Sequence, residues 1–326
     1  MTGTTLSRRP SPNNNREPKS LKSTRHFLEY ILYHLLLVLV QPLPHQMVVR
    51  TGNVLGSLVF LFSGKRKRSA KTNLDIIFSD SKSSDEKNKI IKKSFQNLTV
   101  SALQCLWATR DTEKRVRGLI EGEPAGLDIL RQCLKKNKGI FFLTAHYGNW
   151  EIMGLFHGYM GICPLSSIVR KLDNPYLDKV TKNFRTLSGN KIFDRNESPL
   201  KIVRELKNNS SVAVMMDQNT AKGGIFVDFF GKKAATPRSL ALLSYRLGTP
   251  ILPLFCHPTD KGTYRIEYGP QIQFERSDSK ENDILKWTQQ YELFIENVIR
   301  KNPAPWMCGH RRWKTRPPEE KGTLIY

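Results

Sequence analysis

Acidic residues are scarce. Against 52 lysines and arginines the 326-residue chain carries 29 aspartates and glutamates, a formal charge of +23, far beyond what solubility needs. A surface so biased attracts anions: nucleic acid, anionic lipid headgroups or a small acidic carrier protein. Cysteine is scarce too. The five (Cys105, Cys133, Cys163, Cys256, Cys308) are odd in number and scattered. With no Cys-x-x-Cys pair and no zinc spacing, they argue against a disulfide framework or a zinc site and for buried, reduced thiols. No internal repeat occurs, and no helix-turn-helix, zinc or RNA-binding signature. The basic residues do not interleave with aromatics, so nucleic acid drops out of the expected partners. Nor does any apolar run reach the ~20 residues of a clean spanning helix.

What is present is a folding chain: 39% hydrophobic and 10% aromatic residues are enough for a sizeable core. Three segments follow. Residues 1–26 are polar and basic and read as a disordered tail. Residues 27–64 carry two apolar runs, 27–40 and 54–62, broken by Pro42 and Pro44 and flanked on both sides by basic residues, including Lys65-Arg66-Lys67-Arg68. Basic flanks on both sides disfavour a single crossing. The expected form is a monotopic or re-entrant helical hairpin turning near 42–44, with a single spanning helix as the second reading. Residues 65–326 read as one folded domain, the part that would carry any chemistry. They alternate strand-like runs (140–144, 166–169, 211–216, 225–230, 251–256, 263–268) with helical ones (149–160, 174–188, 198–208, 237–247, 281–300), preceded by a helix over 85–109. This is the pattern of an α/β fold. Thr236 is expected to cap, and Pro237 to open, the helix that Gly248 ends.

The chemistry concentrates at Thr144-Ala145-His146-Tyr147-Gly148-Asn149-Trp150-Glu151. His146 follows a strand, where functional groups of α/β folds gather. Gly148 and Asn149 turn the chain, Asn149 caps the next helix, and Glu151 falls in its first turn. A neutral histidine can serve as a base toward an alcohol while a carboxylate fixes its tautomer. On spacing alone, the pair reads equally well as a capping acid beside a packed histidine.

The surrounding blocks add to this. His146-Tyr147-Gly148-Asn149-Trp150-Glu151 is followed by Val169-Arg170-Lys171-Leu172-Asp173-Asn174-Pro175, Met216-Asp217-Gln218, Phe229-Phe230-Gly231 with Ala235-Thr236-Pro237-Arg238, and His310 to Pro317; Thr72-Asn73-Leu74 precedes them. In order and spacing, over about residues 27–317, these resemble the lipid A biosynthesis late acyltransferases, within the lysophospholipid acyltransferase superfamily. The resemblance implies a central mixed sheet flanked by helices, glycerol-phosphate acyltransferase-like. It implies transfer of a fatty acyl chain from acyl carrier protein, or coenzyme A in relatives, to a hydroxyl of a lipid A precursor in lipopolysaccharide biosynthesis. It further implies a phosphorylated glycolipid acceptor, no metal or cofactor, and a place on the cytoplasmic face of the inner membrane.

On this reading His146 is the general base and Glu151 its orienting partner. Backbone N–H groups at Gly148 and Asn149 are oxyanion donors. Arg170 grips a phosphate, Asp217 orients a loop or Arg170, and Arg238 meets phosphate or donor. Phe229 and Phe230 are core or the wall of an acyl groove. The basic cluster at 65–71 and the run Arg311, Arg312, Lys314, Arg316 hold the domain on an anionic leaflet, each residue worth ~1 kcal/mol near the surface. Two rivals are an acyltransferase on another membrane lipid (a lysophospholipid or a phosphoinositol mannoside) and a noncatalytic basic scaffold at a membrane surface.

Overall fold

A computed structural model describes residues 19–194, 197, 199–221, 223–320 and 322–326. The expected disordered tail lies outside the described residues as far as residue 18; residues 19–26 form the start of a helix rather than a tail.

Four helices open the chain: α1 (Lys19–Val40), α2 (His45–Phe62), α3 (Gly64–Phe78) and α4 (Ser84–Trp107). The break between α1 and α2 falls at Pro42 and Pro44, as the prolines dictate. α4 starts at a capping box: Glu86 N–H donates to Ser83 Oγ (3.3 Å) and Ser83 N–H to Glu86 Oε2 (2.8 Å). α2 lies against α4 along a glycine face. A Cβ on Gly52 would sit 2.7 Å from Val100 Cγ2, and one on Gly56 2.5 Å from Gln96 Cα. α1 packs on α4 and on α8 (Pro175–Thr186). No single described helix is long and apolar enough to cross a membrane. The pair α2–α3 would pass by length and composition, but it is bent by 91°.

The remaining elements are α5 (Thr112–Gly118), α6 (Leu127–Leu134), β1 (Ile140–Thr144), α7 (Trp150–Met160), β2 (Leu165–Val169), α8, β3 (Lys191–Asp194), α9 (Pro199–Lys207), β4 (Ser211–Met215), β5 (Gly224–Phe229), β6 (Lys232–Pro237), α10 (Ser239–Leu247), β7 (Ile251–Pro258), β8 (Tyr264–Tyr268) and α11 (Lys280–Lys301). Six strands form one sheet in the order β3-β2-β4-β1-β7-β8. All neighbours are parallel except β7 and β8. The fold is α/β with a mixed central sheet between helices, as expected. β1 is buried at all five positions, which explains its unbroken apolar sequence.

Two expectations fail locally. Thr236 and Pro237 do not open a helix; they end β6, where Thr236 pairs with Ile225 and Pro237 with Gly224, and the helix begins at Ser239. The reason is the β5–β6 hairpin. Its two-residue turn, Phe230-Gly231, holds both φ angles positive (52° and 73°), the geometry that matches strand twist. Strand β3 is half-buried and polar at its start, so its sequence carries no strong strand signal.

Candidate active site

Register builds the site. β1 and β4 pair in parallel with Thr144 opposite Met215. Two residues further on, His146 and Asp217 emerge side by side. The connections leaving β1 and β4 run to opposite sides of the sheet, β1 toward β2 and β4 toward β7. Such a crevice at the carboxyl ends of strands is where α/β sheets bind ligands.

Asp217 is buried, and its two carboxylate oxygens accept three hydrogen bonds. Oδ1 accepts from His146 Nδ1 at 2.8 Å. Oδ2 accepts from the His146 backbone N–H at 3.1 Å and from Trp306 Nε1 at 3.0 Å. With Nδ1–H donating to Asp217, His146 Nε2 carries the lone pair and accepts from Gln218 Nε2 at 3.3 Å. Burial lowers the His146 pKa, but the charge of Asp217 and its hydrogen bond outweigh burial, and the imidazole sits above its ordinary value. Burial would raise Asp217; its contacts with His146 outweigh that and hold it below the carboxylate range. Both partners shift toward the ion pair, as a buried histidine–carboxylate couple should.

Glu151 is placed differently from expectation. It does not hydrogen-bond His146. It lies in the first turn of α7 and takes Arg185, from the last turn of α8, in a bidentate pair: Arg185 Nε at 2.7 Å from Oε2, with Nη2 on Oε1. Trp150 Nε1 also donates to Oε1 at 3.2 Å. The orienting carboxylate of His146 is therefore Asp217, 71 positions away in sequence. Glu151 acts on the imidazole only through its charge, which favours the imidazolium.

The loop between His146 and α7 is fixed by its glycine. Gly148 has φ +62°, and a Cβ there would meet the Cys256 carbonyl oxygen at 1.9 Å. Its N–H donates to the Pro305 carbonyl at 3.1 Å, so it is not a free oxyanion donor. Asn149 is the expected cap: its Oδ1 accepts from Ile152 N–H at 3.2 Å. Its amide is spent on Ser101 O and Gln104 Oε1. Gln218, whose amide lies 3.3 Å from His146 Nε2, is the donor at that nitrogen.

Two cavities are lined by residues that contact His146. The first, about 300 Å³, lies between α4, α7 and α8, with Tyr33 of α1 on its wall. It is lined by Leu98, Ala102, Leu106, Val180 and Phe184, and Trp150 and Glu151 face it. Trp150 also packs edge-on against His146 at 5.0 Å between ring centres. Cys105 lines this cavity too, but burial, reinforced by the Glu151 charge, pushes its thiol far above the ordinary range. It is protonated and not a nucleophile. The second cavity, about 480 Å³, is lined by Lys65, Arg66, Arg311 and Lys314 with Ser69, Asn219, Met307 and His310. Met307 N–H donates to the His146 carbonyl at 2.9 Å.

The other expected residues lie away from this centre. Arg170 and Arg238 are exposed. Arg170 follows β2, which is separated from β1 by β4. Phe229 and Phe230 are buried in the main core, Phe229 against Trp306 and Trp313, and neither lines either cavity. The basic C-terminal run divides. Arg312 is fully buried and pairs with Glu292 at 3.2 Å. It also donates to Ala235 O (2.8 Å) and Thr236 Oγ1 (2.6 Å). Arg316 pairs with Glu320. Only Arg311 and Lys314 of that run are exposed.

The chain is similar in sequence to known proteins over most of its length. The family described as bacterial lipid A biosynthesis acyltransferase matches residues 16–315. A lipid A biosynthesis palmitoleoyltransferase of Escherichia coli (strain K12) is 28% identical over 305 residues, 92% of this chain and 95% of that one. The lauroyltransferase of the same organism is 25% identical over 303 residues, 91% and 95% of the two chains. A phosphatidylinositol mannoside acyltransferase of Mycobacterium tuberculosis (strain ATCC 25618 / H37Rv) is 28% identical over 199 residues, 58% of each chain.

Proposed function

The chain belongs to the bacterial lipid A biosynthesis acyltransferase family, an O-acyltransferase, and from that premise we propose that it moves a fatty acyl chain from an acyl carrier protein thioester to a hydroxyl of a phosphorylated lipid A precursor. The observation that carries this reading is the His146–Asp217 couple, with neighbours Trp150 and Met307 lining an apolar cavity and a cavity edged by Lys65, Arg66, Arg311 and Lys314. His146 Nε2 takes the proton of the acceptor hydroxyl, and Asp217 holds the tautomer and stabilises the imidazolium that forms. The oxygen attacks the thioester carbonyl, and the tetrahedral oxyanion draws a hydrogen bond from the Gln218 amide, freed from Nε2 once the hydroxyl takes its place. The C–S bond breaks, and the imidazolium returns its proton to the departing thiolate. No acyl-enzyme is needed: Cys105, the thiol that lines the apolar cavity, has its pKa pushed up by burial and does not supply a thiolate. The apolar cavity suits the acyl chain, with Glu151 and Arg185 closing its polar end.

Membrane attachment is part of the proposal. α1 presents Leu28, Ile31, Leu32, Leu35 and Leu39 to the outside, and Phe62 at the end of α2 is 84% exposed. Exposed apolar side chains on α1 and at the end of α2, the latter followed by exposed Lys65, Arg66 and Arg68, fit a monotopic helix pair lying in an anionic leaflet. This would place the domain at the cytoplasmic face of the inner membrane.

The test is direct. The purified chain, an acyl carrier protein thioester and a lipid A precursor should give a product heavier by one acyl group, and His146→Ala should give none. A wild-type protein that acylates only a phosphoinositol mannoside or a lysophospholipid would shift the reading to that lipid. A fully active His146→Ala would remove the base.

A further inference from the structure

Two basic segments that lie about as far apart in sequence as the domain allows form the walls of one cavity. Lys65 and Arg66 come from the first turn of α3; Arg311 and Lys314 come from the C-terminal segment. All four are exposed, no acidic residue lines the cavity, and none of the four has an acidic partner among the described residues. Such charge in one concave place is repulsive, and folding tolerates it only because the walls are clipped together by neutral contacts. Asn73, fully buried on α3, donates to the carbonyls of Cys308 (2.7 Å) and His310 (2.6 Å) and accepts from the Tyr326 hydroxyl (2.5 Å). Arg311 Nε reaches Ser69 Oγ at 3.4 Å. Asn219 and Thr315 exchange two hydrogen bonds of 3.0 Å. The cationic walls are thus held in a fixed geometry before any anion arrives.

The cavity also adjoins the reacting centre. Its lining residue Met307 donates to His146 O, Asn219 follows Gln218, and His310 is close enough for Asp217 and His146 both to act on its charge.

Resting on the acyl-transfer reading above, we infer that the cavity between Lys65, Arg66, Arg311 and Lys314 is a phosphoryl-binding subsite of the active site. It anchors a substrate phosphate while His146 reaches the reacting hydroxyl and thioester. Two arginines and two lysines with no internal counter-ion match a phosphate's charge and its several acceptor oxygens. Two substrates could bring that group: the acceptor glycolipid, or the phosphodiester of the donor's phosphopantetheine arm. Lys65 and Arg66 follow Phe62, the exposed apolar end of α2, by three and four residues, close along the chain to where a membrane-seated headgroup would stand. Location therefore favours the acceptor.

The experiment compares wild type with Arg311→Ala/Lys314→Ala and with a control of equal charge loss on α11, Lys280→Ala/Lys286→Ala, the first position half-buried and the second exposed. KM is measured separately for the acceptor and its phosphatase-treated form, and for the carrier-protein thioester and an acyl pantetheine that lacks phosphate. The subsite variant should raise KM about tenfold for one phosphorylated substrate, leave kcat within about twofold, and make no difference to that substrate's phosphate-free form. A rise confined to the acceptor assigns the phosphate to the glycolipid; a rise confined to the donor assigns it to the pantetheine arm. Unchanged KM for both, or an equal rise in the α11 control, overturns the subsite. Titration calorimetry with inorganic pyrophosphate gives a readout that needs no turnover. Wild type and control should bind it about tenfold more tightly than the subsite variant, and equal binding by all three overturns the inference. If wild type transfers no acyl group, the acyl-transfer reading fails, and the pyrophosphate result still decides the cavity.

Discussion

Replacing Asp217 by Asn tests the link between geometry and chemistry, because shape and volume are kept and only charge and one acceptor are changed. Oδ2 accepts from His146 N–H and from Trp306 Nε1, while Oδ1 accepts from His146 Nδ1 alone. An asparagine satisfies both donors on the Oδ2 side only with its carbonyl oxygen there. Its NH₂ then faces Nδ1 and donates to it. The proton of a neutral His146 is driven to Nε2, where the base must have its lone pair. The alternative flip leaves a buried indole N–H and a backbone N–H facing an NH₂, at ~1–3 kcal/mol for each unsatisfied donor. Either way kcat/KM should fall on the order of 10²–10⁴-fold, which at 1.36 kcal/mol per tenfold is about 3–5 kcal/mol of transition-state stabilisation. The assay is acyl transfer followed by product mass, with circular dichroism to show that the fold persists.

The pH profile adds a second readout. Because Asp217 holds the imidazole above its ordinary value, wild-type kcat/KM should rise with pH through a midpoint above ~6.5. In Asp217→Asn the anion is gone and the midpoint of any residual activity should move down. The two shifts together predict that this couple's stabilisation is fully present between about 3.9 and ~6.5, the unfolded values of the two partners, is lost as pH rises through the folded His146 pKa, and is lost again as pH falls through the folded Asp217 pKa. An Asp217→Asn enzyme within tenfold of wild type, with an unmoved acid limb, would refute the assignment of Asp217 as the orienting residue.

Other outcomes follow from the packing. Arg312→Ala leaves Glu292 buried without its partner and removes the bonds to Ala235 O and Thr236 Oγ1; it should cost about 3–5 kcal/mol, read as a drop in Tm. Gly148→Ala must fit a Cβ 1.9 Å from Cys256 O at a positive φ. The strain alone is ~1–3 kcal/mol, and thermal denaturation should show at least that loss. Glu151→Gln weakens the bidentate pair with Arg185 but leaves His146–Asp217 intact. It should lower kcat/KM by less than Asp217→Asn does, and a larger loss would make Glu151 the more important carboxylate. Leu35→Asp/Phe62→Asp places charges on the exposed apolar face of α1 and α2. Sedimentation with anionic vesicles should then recover far less protein, with unchanged Tm.

Much of the fold is written locally. The buried strands β1 and β7 announce themselves as apolar runs, and Asn149 and Asn174 cap the helices they precede. Position after a strand also marked His146 as a functional group. The failures share one physical origin, long-range pairing. Nothing near Asp217 says that its oxygen rests on His146; the β1–β4 register decides that. Glu151 has a plausible partner five residues back, yet Arg185 on another helix takes it, because a guanidinium fork matches a carboxylate better than one imidazole nitrogen does. Thr236-Pro237 obeys the local rule for opening a helix, and the β5–β6 ladder overrides it. Gly148 is legible as a turn residue, but the Pro305 carbonyl that occupies its N–H lies 157 positions away. Arg311 and Arg312 are identical neighbours in sequence; one is exposed at a cavity and the other buried beneath Thr236, a division that only packing reveals.

The central claim is that His146, held by Asp217, adds an acyl chain to lipid A. The measurement that meets it most directly is mass spectrometry of lipid A from cells lacking this chain, complemented with wild type or with His146→Ala expressed at the same level. The account predicts that wild type restores one acyl group and His146→Ala restores none. Restoration by both, or no change in lipid A with either, would contradict it.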